Sequence, residues 1–120
     1  MSHYNWGSVP AQKVTDRLSR KLIYGEKVML AQIFLKKGCI IPAHSHKSEQ
    51  MTYILRGSLR LRLPEKEVTL DEDEVLLIPS LVEHSAVALE DTLNLDIFSP
   101  VREDWLSAKD KYLRKSKQRE

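Results

Sequence analysis

Between residues 12 and 98 the chain is a series of short apolar runs cut by turns, and that rhythm limits its possible folds more than any other feature. "LRLRL", residues 59–63, alternates without a break. Successive side chains of a strand point to opposite faces, so its leucines face a core and its arginines face water. "VMLAQIFL", residues 28–35, is a longer apolar run, the pattern of a strand covered on both faces. "QMTYIL" and "EVLLIP" are two more short strands. The turn-formers "YGEK", "KKG", "RGS", "LPEKE", "LDEDE" and "LEDT" separate them. Many short strands at regular spacing, with no helical period between them, specify an all-β sandwich or barrel.

The pattern changes after Pro100. In "REDWLSAKDKYLRK", Trp105, Ala108 and Tyr112 recur at roughly helical spacing, as do Leu106 and Leu113. Acidic Glu103 and Asp104 open the segment and basic residues close it, which suits a helix dipole. A short C-terminal helix packed on the barrel through Trp105 is predicted. The net charge of +2 is unevenly spread, because residues 109–120 alone carry six Lys/Arg and two Asp/Glu. The basicity belongs to a tail, expected to be a solvated helix end, and the body lacks the interleaved basic and aromatic residues of a nucleic-acid groove. The expected organisation is one domain over residues 1–108, N-terminal strands included, followed by a basic tail over 109–120. Cys39 is the single cysteine, so no internal disulfide forms, and it reads as a small buried residue. The N-terminus has no signal-peptide pattern, and no apolar run is long enough to cross a membrane. A cytoplasmic protein with neither nucleic-acid nor membrane partners is expected.

The chemistry concentrates in "HSHKSEQ", residues 44–50, which holds two of the four histidines. On a strand, His44 and His46 share a face, along with Ile40 and Pro42 but not Cys39. Gln50 opens the next strand, with Thr52 and Ile54 on its face. Two imidazoles and an amide oxygen from neighbouring strands can converge on a metal ion, which needs at least one further ligand. His3 lies in the terminus, whereas His84 follows "IPSLVE" at the end of a strand and is the better candidate. Farther on, Asn94, Asp96 and Phe98 share one parity on a late strand.

The frame around these residues resembles the cupin family. Its first motif is Gly, five residues, His-x-His, three or four residues, Glu, six residues, Gly. Here Gly38, "CIIPA", His44, Ser45, His46, "KSE", Gln50, "MTYILR" and Gly57 follow it, with Gln50 in place of the Glu. The second motif is matched by Asp73, "EVLLI", Pro79, Ser80, Leu81, "VE" and His84. Asp73 and Leu81 stand where that motif has glycine, and Ala88 where it has asparagine. A left-handed backbone at Leu81 would be strained. The resemblance implies a double-stranded β-helix jelly roll in which His44, His46, Gln50 and His84 bind one divalent transition metal ion per chain: Zn, Ni, Fe, Mn or Cu.

"SEQMTYILRG", "IPSLVEH" and "LDIFSPVREDWL" look more particularly like the small cupins of pectin and alginate breakdown. The resemblance implies a three-His, one-Gln metal site and conversion of cyclic 4,5-unsaturated uronates to linear keto forms. It also implies an Asp-x-Phe-x-x-x-Arg element lining the pocket, matched here by Asp96, Phe98 and Arg102. Asp96 would move protons, Arg102 would hold a substrate carboxylate through both oxygens of its planar fork, and Phe98 would pack on the sugar ring. Neutral ligands leave the ion its full charge, which favours Lewis-acid work. The alternatives are a metal-dependent dioxygenase of a small carbonyl compound and a non-catalytic small-molecule binding cupin. Related cupins imply a homodimer with the N-terminal strands in its interface.

Overall fold

The computed structural model of the chain describes residues 1–107 and 111–114. A 3₁₀ turn at Trp6–Ser8 precedes the strands β1 (Gln12–Thr15), β2 (Leu18–Tyr24), β3 (Met29–Leu35), β4 (Ile40–His44) and β5 (Glu49–Arg56). β6 (Leu59–Leu63), β7 (Lys66–Leu70), β8 (Val75–Ile78), β9 (His84–Ala88) and β10 (Thr92–Ser99) follow. Two one-turn helices close the described chain, α1 (Glu103–Leu106) and α2 (Lys111–Arg114). One sheet has the order β1-β2-β3-β10-β5-β8, the other β4-β9-β6-β7, and every pairing is antiparallel. From β3 onward the chain crosses between the sheets at every connection except the β6–β7 hairpin, which gives the predicted jelly roll. None of the described helices is long and apolar enough to cross a membrane.

Alternation builds the core. Leu59 and Leu61 are buried while Arg60 and Arg62 are exposed, as the "LRLRL" pattern requires. β3 buries Met29, Ala31, Ile33 and Leu35 completely and half-covers the residues between them. It is therefore a one-sided core strand with a partly shielded outer face, and Val28 lies exposed outside it. Each large apolar side chain removed from water contributes about 1.5–3 kcal/mol before the ordering entropy is subtracted. Cys39 is fully buried, and that burial pushes its thiol up to about 11.

The turns hold the strands in register. Gly57 has φ +101°, and a Cβ there would come within 2.5 Å of the Asp91 carbonyl oxygen, so only glycine fits. Asp73 and Leu81 adopt φ 69° and 68°, the left-handed backbone that glycine favours. For Leu81 this costs about 1–2 kcal/mol. Its side chain is exposed, but its N–H donates to the His46 carbonyl at 2.8 Å. The strained turn therefore braces one of the candidate ligands.

The C-terminal region carries the short helical segment expected. α1 and α2 are one turn each, and Ala108, with residues 109–110 and 115–120, lies outside the described residues. Trp105 is buried with Phe98 edge-on at 5.1 Å, and the Arg20 and Arg102 guanidiniums lie 4.4 and 4.7 Å from its ring. Cation–π attraction and an Arg20 Nη2 bond to the Trp105 carbonyl (3.4 Å) fix α1 to β2. α2 lies against β1 and β4, with Leu113 buried and Tyr112 partly buried. The solvated tail expected from residue 109 thus does not describe these two residues. Apolar contact with the barrel outweighs the basic composition around them.

Candidate metal centre

β4 and β9 set two of the histidines directly opposite each other, since His44 pairs with His84. Between the Ile41–Ala86 and His44–His84 pairs, β4 has one more residue than β9. This bulge at Pro42–Ala43 corrects the parity inferred from sequence. Ile41, not Ile40, faces the interior with His44, and Ile40 is exposed. Proline suits such a place because it has no N–H to donate to the ladder. His46 lies just past the end of β4, and Gln50 reaches in from β5. Candidate ligand atoms of His44, His46 and His84 all lie within 4.8 Å of one another, so one ion can reach all three.

The rings are oriented by backbone carbonyls. The Nδ1 atoms of His44, His46 and His84 approach the carbonyl oxygens of Pro42, Ser48 and Val82 at 2.8, 2.9 and 2.9 Å. A neutral ring that donates its Nδ1–H there leaves its Nε2 lone pair bare for a metal. His84 Nε2 is buried without a hydrogen-bond partner. An orphaned buried acceptor of this kind is costly unless a cation takes it. His46 Nε2 and Gln50 Oε1 are 3.0 Å apart, near the spacing of adjacent ligands about 2.1 Å from one ion. The donor set therefore fits a divalent transition metal.

A hydrogen-bond chain explains the glutamine. Thr52 Oγ1 donates to Asp96 Oδ1 at 2.7 Å, and Asn94 Nδ2 donates to the same oxygen at 2.9 Å. The threonine has a single proton and gives it to Asp96, so it can only accept from residue 50. Gln50 Nε2 supplies that bond at 2.8 Å, which turns Oε1 toward the histidines. A glutamate at this position would set a second carboxylate against Thr52 and Asp96 with no proton between them. The amide keeps the ligand set neutral and also fits its neighbours.

Asp96 and Phe98 are buried on the inner face of β10, as the parity of that strand predicts. Burial pushes the Asp96 carboxyl up to about 6, against the opposing pull of Thr52, Asn94 and Arg102. Phe98 meets His46 edge-on at 5.6 Å. Arg102 precedes α1 and is 3% exposed, so it is no surface residue. Its Nε and Nη2 bind Asp104 Oδ1 and Oδ2 at 3.0 and 2.8 Å, while Nη2 also donates to the Tyr112 hydroxyl at 2.9 Å. Nη1 is buried and unpartnered. Asp104 thus occupies the Nε side of the guanidinium, and Arg102 lines the cavity with Nη1 unpartnered.

Burial also holds the histidines neutral, pushing His44 down to about 3, His46 to about 4 and His84 in the same direction. In the metal-free protein, the unfolded chain takes up protons below about pH 6.5 that the folded chain refuses, so stability falls with pH. Asp96 acts in the opposite sense. Its raised pKa adds stability below about pH 4 that is lost as pH rises through about 6. Three imidazoles outweigh one carboxyl, so the metal-free melting temperature is expected to drop between about pH 7 and about pH 4.5. The slope should be shallower in His44→Ala/His84→Ala. Equal slopes in the two proteins would show that these rings are not buried in the neutral form.

Sequence reasoning missed three members of this cluster. Asp104 pairs with Arg102, and Thr52 orients Gln50. Tyr112 stacks on His44 with ring centroids 4.5 Å apart and planes at 25°. The helical spacing of Trp105 and Tyr112 was the available signal for the last, masked by the basic residues around it.

The Cupin domain family model matches residues 32–99. None of the curated proteins matches the chain. Among solved structures, KdgF from Halomonas sp. is similar at 27% identity and TM-score 0.81, covering 87% of this chain and 99% of its own. An RmlC-like cupin from Shewanella frigidimarina NCIMB 400 is 24% identical with TM-score 0.81, covering 88% and 96%. Bacillus subtilis oxalate decarboxylase, described with Mn(II) centres, is 20% identical with TM-score 0.76, covering 87% of this chain and 33% of its own. The match over more than half the sequence, on a jelly roll whose histidines converge where the motifs require, makes this chain a member of the cupin family.

Proposed function

We propose that this cupin is a metal-dependent enzyme that opens cyclic 4,5-unsaturated uronates to their linear keto forms. The observation that carries this reading is one cavity lined by histidines, a neutral amide, a buried carboxyl that titrates near neutrality and an arginine with an unpaired N–H group. The resemblance to cupins of pectin and alginate breakdown and the near full-length similarity to KdgF support it. His44, His46, Gln50 and His84 would hold the ion. A divalent ion bound there supplies a Lewis acid that acidifies hydroxyl groups.

The reaction is an isomerisation, so nothing is oxidised or reduced. The anomeric hydroxyl loses its proton, the carbonyl forms at that carbon and the ring C–O bond breaks. The enol oxygen released becomes a ketone as the vinylic carbon gains a proton. Asp96 can carry the proton, because Thr52 and Asn94 both donate to Oδ1 and neither engages Oδ2. A carboxyl poised near 6 both takes and returns a proton near neutral pH. Arg102 holds the substrate carboxylate, and Phe98 excludes water from the ring face.

Loss of absorbance from the conjugated acid reports the reaction. Metal-loaded protein should accelerate it for a pectin- or alginate-derived unsaturated uronate, without oxygen uptake. Spontaneous rates for both substrates would sink the proposal, and oxygen consumption with iron bound would favour a dioxygenase. The assembly we propose is a homodimer paired through β1, the N-terminal edge of the larger sheet, since an uncovered edge strand seeks a partner. Light scattering of metal-loaded protein at micromolar concentration should give twice the chain mass, and a monomer would contradict it.

A further inference from the structure

The cavity over the histidines has about 30 Å³ of free space. That holds roughly one or two waters, whereas sites for small organic ligands run to about 300–1,000 Å³. Two of the side chains filling the space come from α2. Tyr112 lies on the His44 ring and Leu113 is buried beside it, and both line the cavity. The Tyr112 hydroxyl accepts from Arg102 Nη2 at 2.9 Å and from Trp105 Nε1 at 3.2 Å.

The arginine shows what this oxygen stands in for. With Asp104 on the Nε side of the guanidinium, the two terminal nitrogens are left as the edge open to another acceptor. Two parallel N–H groups along such an edge suit two carboxylate oxygens. Tyr112 fills one of these acceptor places with a neutral phenol oxygen, and the other, at Nη1, is empty of partners. An incoming carboxylate would satisfy both donors at once and with opposite charge. It would gain a charge-assisted pair and relieve a buried unpaired N–H.

We propose that α2 is a displaceable plug on the metal site, and that Tyr112 occupies the place of a carboxylate ligand, its hydroxyl mimicking one of the two oxygens. This rests on the reading of Arg102 as a carboxylate anchor but not on any particular sugar. The plug lowers apparent affinity by the fraction of time the site is closed, so closure nine-tenths of the time weakens binding about tenfold. It also selects for ligands that present a carboxylate to Arg102, because neutral molecules cannot replace the phenol on equal terms.

The test uses full-length protein loaded with Co²⁺, whose visible absorption reports the metal. The chelator 2,6-pyridinedicarboxylate removes the ion, and the rate of colour loss measures access to the site. Tyr112→Ala should speed removal about tenfold or more. Tyr112→Phe keeps the ring on His44 but drops the oxygen. It should lie between wild type and Tyr112→Ala, and should bind a simple carboxylate such as benzoate more tightly than wild type. Benzoate added to wild type should also change Trp105 fluorescence as the Tyr112 bond to its indole is lost. Equal removal rates in all three folded proteins, or benzoate affinity unchanged in Tyr112→Phe, would overturn the proposal. If the plug behaves as described but no unsaturated uronate is opened, the substrate assignment fails and the plug stands.

Discussion

Asp96→Asn is expected to retain the metal and lose the acceleration of uronate ring opening. General acid–base assistance is worth about a hundredfold to ten-thousandfold, and an asparagine amide can neither take nor return the proton. The replacement is nearly isosteric, and its Oδ1 can still accept from Thr52 and Asn94. The Gln50 side chain should therefore stay turned toward the histidines. Metal content measured on the same preparation separates the two effects. A variant with full metal and wild-type rate would show that Asp96 is a structural carboxyl and that the proton travels elsewhere.

Arg102→Ala is expected to raise KM by about tenfold to a hundredfold and to change kcat less. A charge-assisted hydrogen bond contributes about 1.5–3 kcal/mol, and Arg102 is assigned to the substrate carboxylate rather than to the proton transfers. Asp104 loses its partner, but it is partly exposed and can be hydrated. Steady-state kinetics on a uronate and on its methyl ester give the decisive comparison. Wild type should prefer the free acid, and the variant should lose that preference. A variant that still prefers the acid would place the carboxylate elsewhere in the cavity.

Much of this site is legible in local sequence because the pattern behind it is local. Alternation along β10 brings Asn94, Asp96 and Phe98 to one face, and nothing in the fold interrupts it. The glycine frame around His44 and His84 also survives where glycine is missing. Asp73 and Leu81 take the left-handed backbone that the turns demand. What could not be read depends on pairing between distant segments. The bulge at Pro42–Ala43 is defined only against β9, so strand parity counted from β4 alone put Ile40 on the wrong face. The Arg102–Asp104 pair needs the turn into α1 to bring the two side chains together. Tyr112 returns to the site because Trp105, Arg102 and His44 offer its ring and hydroxyl a matched surface. Charge composition in the same stretch points the other way. The glutamine likewise makes sense only with Thr52 and Asp96 beside it.

The central claim is that four neutral side chains from three strands and a loop hold one divalent ion. Elemental analysis of protein purified without chelator tests it most directly. Wild type should carry about one transition metal ion per chain, binding should weaken as acid protonates the imidazoles, and His44→Ala/His84→Ala should carry none. One ion per chain persisting in that folded double variant would mean that the metal lies elsewhere, and wild type that takes up no divalent transition metal when supplied with it would mean there is no such centre.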